Sequence, residues 1–161
     1  MNLNMFKILI LSLLFVFCQN VFATVTKLKN GWTFHSEVDK ITDENKSFIM
    51  KEGKEGGIAF ICHGKGAFEP AWAFGTLVPS SATFMYRFDK DDPVLILSGL
   101  IDTIGEILYL NNVGGFTEKS LFAKLLVLQA SGTQSPRIVH EFNLTGLKEA
   151  LEHANKNAPC K

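Results

Sequence analysis

The sequence has no excess charge of either sign. Among its 161 residues, 16 Lys and Arg balance 16 Asp and Glu, so the formal net charge at pH 7 is zero. A neutral chain offers no electrostatic attraction to nucleic acid or to an anionic membrane surface. Beyond residue 23 it also lacks any apolar run approaching the roughly 20 residues of a membrane-spanning helix. We therefore expect no nucleic-acid binding and no membrane span after that point.

The long apolar run at the amino terminus is typical of a secretory signal peptide. Lys7 supplies a small basic start, residues 8–17 are apolar except for Ser12, and Ala23 provides a small residue at the cleavage position. We predict a signal peptide over 1–23, cleaved after Ala23, and a single secreted β-rich domain over 24–161. The expected location is the periplasm or the medium. Two alternatives remain open, namely lipid attachment at Cys18 and an uncleaved N-terminal anchor.

Cysteines are few, and no two of them have C-x-x-C spacing. Cleavage would remove Cys18 and leave Cys62 and Cys160. An even pair in an oxidising compartment predicts a structural disulfide. A metal pair or a redox dithiol is the alternative, although two thiolates alone do not complete a zinc site. We expect the bridge to hold the last residues of the chain against an early strand.

Complete catalytic and metal-binding motifs are missing. Gly64-Lys65-Gly66 is not a phosphate loop, which needs Ser or Thr after its Lys, and Asp89-Lys90-Asp91-Asp92 lacks the internal Gly and the distant Glu of an EF-hand. His140-Glu141 has no second His four residues on, as a zinc-protease helix requires. Ser98-Gly99 lacks the Gly two residues before the Ser that a hydrolase elbow requires. We predict a non-enzymatic protein with no catalytic residue, no metal and no cofactor, and we interpret His140 as a partly buried, hydrogen-bonded side chain.

Alternating apolar residues predict a fold made mainly of short strands. The expected strands lie near 32–38, 58–62, 72–78, 84–88, 94–98, 107–110, 125–129 and 137–143. A short helix is expected from Thr117 to about residue 124, with Thr117 as its N-cap. A second helix, capped by Asn143 or Thr145, would place Leu147 and Leu151 on its apolar face. The predicted class is α+β: mainly antiparallel β, as a sandwich or strongly bent sheet, with a short helix and a C-terminal helix docked by the disulfide.

A possible partner-binding surface lies around Trp72, Tyr86 and Arg87. Arg87 sits on a predicted strand between two aromatic residues and close to Asp89. One interpretation is an exposed sheet face on which Arg87 recognises a partner. The alternative is structural, with Arg87 in a cross-strand ion pair or over an aromatic ring.

Several segments together resemble the VasI-like family, secreted bacterial accessory proteins associated with type VI secretion. They are Trp32, Ile61-Cys62, Tyr86-Arg87-Phe88-Asp89, the run 116–128, and the closing segment 141–151 before Cys160. The chain departs from the family pattern where Ile61 replaces an Arg, and where Lys161 stands in place of Gly-Trp after the last cysteine. The resemblance implies the fold and an association with type VI secretion, and it implies no catalytic residue.

These observations favour a non-enzymatic periplasmic accessory or binding protein whose protein partner is unidentified. One alternative is an inhibitor of an exported enzyme or a phage-exclusion factor. The other is a small secreted hydrolase, which would need a pocket that joins two of His35, His63 and His140 to a carboxylate.

Overall fold

A computed structural model describes nine ranges of the chain: 24–39, 41–42, 44–62, 66–79, 81–97, 100–102, 105–110, 113–132 and 137–160. The predicted signal peptide lies outside them, as do His63, Gly64, Lys65, Ser98 and Gly99. The strands are β1 Thr24–Lys27, β2 Trp32–Val38, β3 Asn45–Glu52, β4 Gly57–Cys62, β5 Phe68–Ala73, β6 Thr83–Phe88, β7 Val94–Ile96, β8 Leu100–Ile101, β9 Ile107–Tyr109, β10 Leu125–Ser131 and β11 Ile138–Asn143. The helices are α1 Phe116–Ser120 and α2 Leu147–Asn157, and a 3₁₀ segment spans Lys29–Gly31.

The strands form two antiparallel sheets. One has seven strands in the order β1-β2-β3-β4-β5-β9-β8, and the other has four in the order β11-β10-β6-β7. Since successive side chains alternate between the faces of a strand, each sheet has an inner and an outer face. The inner faces meet in one apolar core, and α2 packs on the inner face of β2 and β3. The predicted class, mainly antiparallel β with a short helix and a C-terminal helix, is confirmed.

Strand β5 ends earlier than the alternation of residues 72–78 predicted. Gly75 has φ of 70°, which side chains other than glycine rarely adopt. A Cβ atom at Gly75 would also overlap the carbonyl oxygen of Glu55, in the turn between β3 and β4. The chain therefore turns immediately after β5, and the predicted continuation to residue 78 is wrong.

Both helices begin after a glycine and not at the predicted polar caps. Gly115 (φ 71°) precedes α1 and Gly146 (φ 84°) precedes α2, and neither helix has a side-chain cap. Thr117 lies inside α1, where its hydroxyl donates to the Phe68 carbonyl at 3.5 Å. Asn143 instead accepts a hydrogen bond from the Thr145 amide at 2.8 Å. The left-handed residue at each entry explains why the predicted N-caps are wrong.

The carboxyl terminus is fastened to the large sheet at two neighbouring points. Cys62, on β4, forms a disulfide with Cys160 across 98 sequence positions, as predicted. One strand away, the Ser47 hydroxyl donates to the Ala158 carbonyl at 3.4 Å. The bridge therefore closes most of the domain into one covalent loop and holds the end of α2 over the inner face of the sheet.

Removing the disulfide should destabilise the domain substantially. Cys160→Ser keeps the buried Cys62 and replaces its more accessible partner. We expect this variant to lower the free energy of unfolding by about 2–5 kcal/mol, because the unfolded chain regains the entropy of an open loop. Urea unfolding followed by tryptophan fluorescence measures the difference. A reductant should destabilise the wild type and leave the variant unchanged. Equal stability of the two proteins without reductant would contradict a structural bridge.

Candidate functional site

The aromatic members of the predicted surface are buried. Trp72 is fully buried, with its ring centroid 4.5 Å from that of Phe74. Tyr86 is only 5% exposed and packs edge-on against Phe116 at 5.1 Å. Its burial raises the pKa of the phenol, because the charged form is poorly solvated there. The expected surface of three side chains is therefore not formed, because both strands turn their aromatic faces into the core.

Of the three side chains predicted to form the surface, only that of Arg87 lies on the outer face of its sheet. Phe84, Tyr86 and Phe88 point inward from β6, so strand alternation directs Arg87 away from the core. The side chain is half-buried and lies opposite Val127 of β10. It lies on the outer face of the four-stranded sheet, and a role in recognition stays a prediction.

Neither structural alternative for Arg87 occurs. The Asp89 carboxylate accepts hydrogen bonds from the Leu125 amide at 2.9 Å and the Lys124 amide at 3.1 Å. Asp89 also has φ of 46°, which belongs to the turn that it shapes. Within the ranges that the structure describes, the Arg87 guanidinium has no ion pair, hydrogen bond or aromatic-ring contact. Among the described residues, no group of the chain neutralises this positive charge.

The surroundings of Arg87 are mainly apolar. Along one row Leu95 lies opposite Met85, Met85 opposite Gln129, and Gln129 opposite Val139. In the next row Val127 separates Arg87 from Glu141, two strands away. We call this outer surface the Arg87 face, defined by Met85, Arg87, Leu95, Val127, Val139 and Glu141. A guanidinium framed by apolar side chains suits a carboxylate, which it binds through two parallel hydrogen bonds.

His140 is a structural residue of the core, as predicted. It is 9% exposed, and its Nδ1 atom accepts a hydrogen bond from the Trp72 indole N–H at 3.0 Å. Because Nδ1 is the acceptor, the neutral ring carries its proton on Nε2. Burial lowers the pKa of His140, and the opposing attraction of Glu55 is the smaller effect. The pairing with Trp72 was not predicted, because strand alternation does not show which side chains meet across two sheets.

His35 does not join His140. His35 lies on the outer face of the seven-stranded sheet, its ring stacked on Phe48 at a centroid distance of 4.4 Å. The sheet itself therefore separates His35 from His140, and His63 is outside the described ranges. No group of three or more His, Cys, Asp or Glu side chains able to hold a metal ion occurs in the part of the chain that the structure describes.

Comparisons with family models, curated proteins and solved structures found no match. Across the described ranges, no helix has the length and apolar character needed to span a membrane. The Cys62–Cys160 disulfide is compatible with an oxidising compartment.

Acid should weaken the fold through His140. The unfolded chain takes up a proton near the ordinary histidine pKa of about 6.5, whereas burial holds the pKa of the folded His140 lower. The free energy of unfolding should therefore fall as the pH drops below about 6.5 and level off below the folded pKa. Urea titrations at a series of pH values measure this slope.

His140→Gln is the matched control, because glutamine can still accept the Trp72 hydrogen bond but does not titrate. Its pH slope should be shallower than that of the wild type. His140→Ala should cost about 1–3 kcal/mol at neutral pH, since the buried indole N–H loses its acceptor. An identical slope in wild type and His140→Gln would show that His140 is not the responsible group.

Proposed function

We propose that this protein is a non-enzymatic binding or accessory protein of the bacterial periplasm, and that the Arg87 face contacts its protein partner. The observation that carries the proposal is a guanidinium without a partner in the described chain, held in an apolar frame. A solvated arginine is usually satisfied by water or a neighbouring carboxylate. Here Glu141, the carboxylate among the described members of this face, is separated from Arg87 by Val127.

The charge and the apolar side chains of the Arg87 face indicate which chemical groups its partner must present. A carboxylate beside an apolar patch would pair with Arg87 while covering Met85, Val127 and Val139. Arginine is enriched among the residues that dominate binding energy, especially where surrounding side chains exclude water. The partner is therefore expected to present Asp, Glu or a chain terminus next to aliphatic or aromatic side chains.

The cellular role that we propose is an association with type VI secretion. The resemblance to the VasI-like family supports it, and the disulfide supports only the export that this role requires. The position of the gene in the genome offers a simple check. A neighbouring type VI secretion cluster would favour this role, whereas a prophage would favour phage exclusion.

Replacing Arg87 should weaken partner binding without unfolding the protein. We expect Arg87→Ala to lower the affinity by about 2–5 kcal/mol, because the partner's carboxylate is left buried and unpaired. A photo-crosslinking residue placed at Val139 and followed by mass spectrometry would identify the partner in the cells that produce the protein. Binding of that partner to each purified variant then gives the affinity.

The chain provides a matched control, because it contains only one other arginine. Arg137 is exposed and precedes β11. Arg137→Ala should leave the affinity unchanged, and both variants should unfold at wild-type denaturant concentrations. An equal loss in the two variants would point to non-specific charge effects, and unchanged binding by Arg87→Ala would refute the assignment.

A further inference from the structure

The outer face of the seven-stranded sheet is apolar at its centre and charged at its edges. Its central side chains come from β2, β3 and β4, and are half-buried although both helices and the small sheet pack on the opposite face. We call this the Phe48 face, and its members are Thr33, His35, Phe48, Met50, Ala59 and Ile61. The charged side chains around it are Lys27, Glu37, Lys46, Glu52 and Glu69. An apolar centre with a charged rim is the arrangement of a protein–protein interface.

The order of side chains on β3 points to a particular partner. Its outward residues are Lys46, Phe48, Met50 and Glu52, in that sequence. When this strand faces an antiparallel copy of itself, Lys46 lies opposite Glu52, and Phe48 lies opposite Met50. On the neighbouring strand, the bulky Ile61 lies opposite the small Ala59. The row is therefore complementary to itself in charge and in size.

We propose that two copies of this chain associate through the Phe48 face. A two-fold axis lies in the interface, perpendicular to β3, and passes between Phe48 and Met50. The two sheets then pack face to face, as in an aligned sandwich, about 10 Å apart. His35, already stacked on Phe48 at 4.4 Å, extends the aromatic surface that the partner copy covers.

The size of the face approaches that of a specific dimer interface. The face and its charged rim span the five strands β1 to β5, which at about 3.3 Å per residue and about 4.8 Å between strands cover roughly 490 Å² in projection. The relief of the side chains increases this area toward the roughly 800 Å² per partner that is typical of specific complexes. The dimer leaves the Arg87 face of each copy open, because that surface lies on the other side of the sandwich.

Charge reversal tests both the dimer and its register. Sedimentation velocity of the exported, purified chain over a concentration series gives the dissociation constant of the dimer. Lys46→Glu and Glu52→Lys should each weaken the dimer by about tenfold or more, because each places like charges opposite one another at two symmetric positions. The double variant Lys46→Glu/Glu52→Lys should recover wild-type affinity. Only opposition of these two residues predicts that recovery.

Lys46 also forms an ion pair with Asp39 at 3.5 Å, so its loss needs a separate control. Asp39→Asn removes that pair without touching the Phe48 face and should dimerise normally. Leu97→Ser removes an apolar side chain that is 86% exposed elsewhere and should also have no effect. Unfolding curves of all variants distinguish a lost interface from a lost fold.

Three results would overturn the proposal. They are a chain that stays monomeric at every concentration, a dimer that both single reversals leave intact, and a double variant weaker than either single one. A purified chain that retains residues 1–23 and dimerises only when these are removed would support the proposal, and would show that residues 1–23 cover the face before cleavage. Intact mass identifies which form is present.

Discussion

The packing of Trp72 between the two sheets is the interaction on which the rest of the structure depends. A buried indole N–H needs an acceptor, and here the acceptor is Nδ1 of His140, at 3.0 Å. The two residues are 68 positions apart and belong to different sheets, so their bond ties β5 to β11. It also fixes the protonation state of His140, because only the neutral ring can accept at Nδ1. A polar contact within the aromatic cluster thereby joins the two sheets across the core.

Because one set of side chains on each strand points into the core, the alternate set lies on the two outer faces. On β6, inward Phe84, Tyr86 and Phe88 leave Arg87 outside, in an apolar frame. On β3, inward Ser47 and Ile49 leave Phe48 and Met50 outside. The same alternation thus gives one surface suited to a carboxylate and another suited to a copy of itself. Because they lie on opposite sides of the molecule, a dimer would present two Arg87 faces.

The sequence predicts the strands better than it predicts their inner faces. Alternation correctly indicated β2 and β6, two largely apolar faces indicated β4 as a central strand, and the pair Cys62 and Cys160 indicated the disulfide. Alternation divides a strand into two faces but does not show which one is buried, so Trp72 and Tyr86 were placed outside. Strand β3 does not follow the alternating pattern, because Phe48, Ile49 and Met50 are consecutive apolar residues. Ile49 points into the core, whereas Phe48 and Met50 lie on the outer face, so both faces of the strand are apolar. That run, between Lys46 and Glu52, was the signal that could have revealed the Phe48 face.

The most direct test of the account is the chemical accessibility of the two arginines. Labelling with an arginine-specific dicarbonyl reagent, read by peptide mass spectrometry, compares the purified protein with the protein inside the cells that produce it. Arg87 and Arg137 should both react in the purified protein, and only Arg87 should be protected in the cells. Equal labelling of Arg87 in both settings, or protection of Arg137 instead, would contradict the claim that the Arg87 face binds a partner.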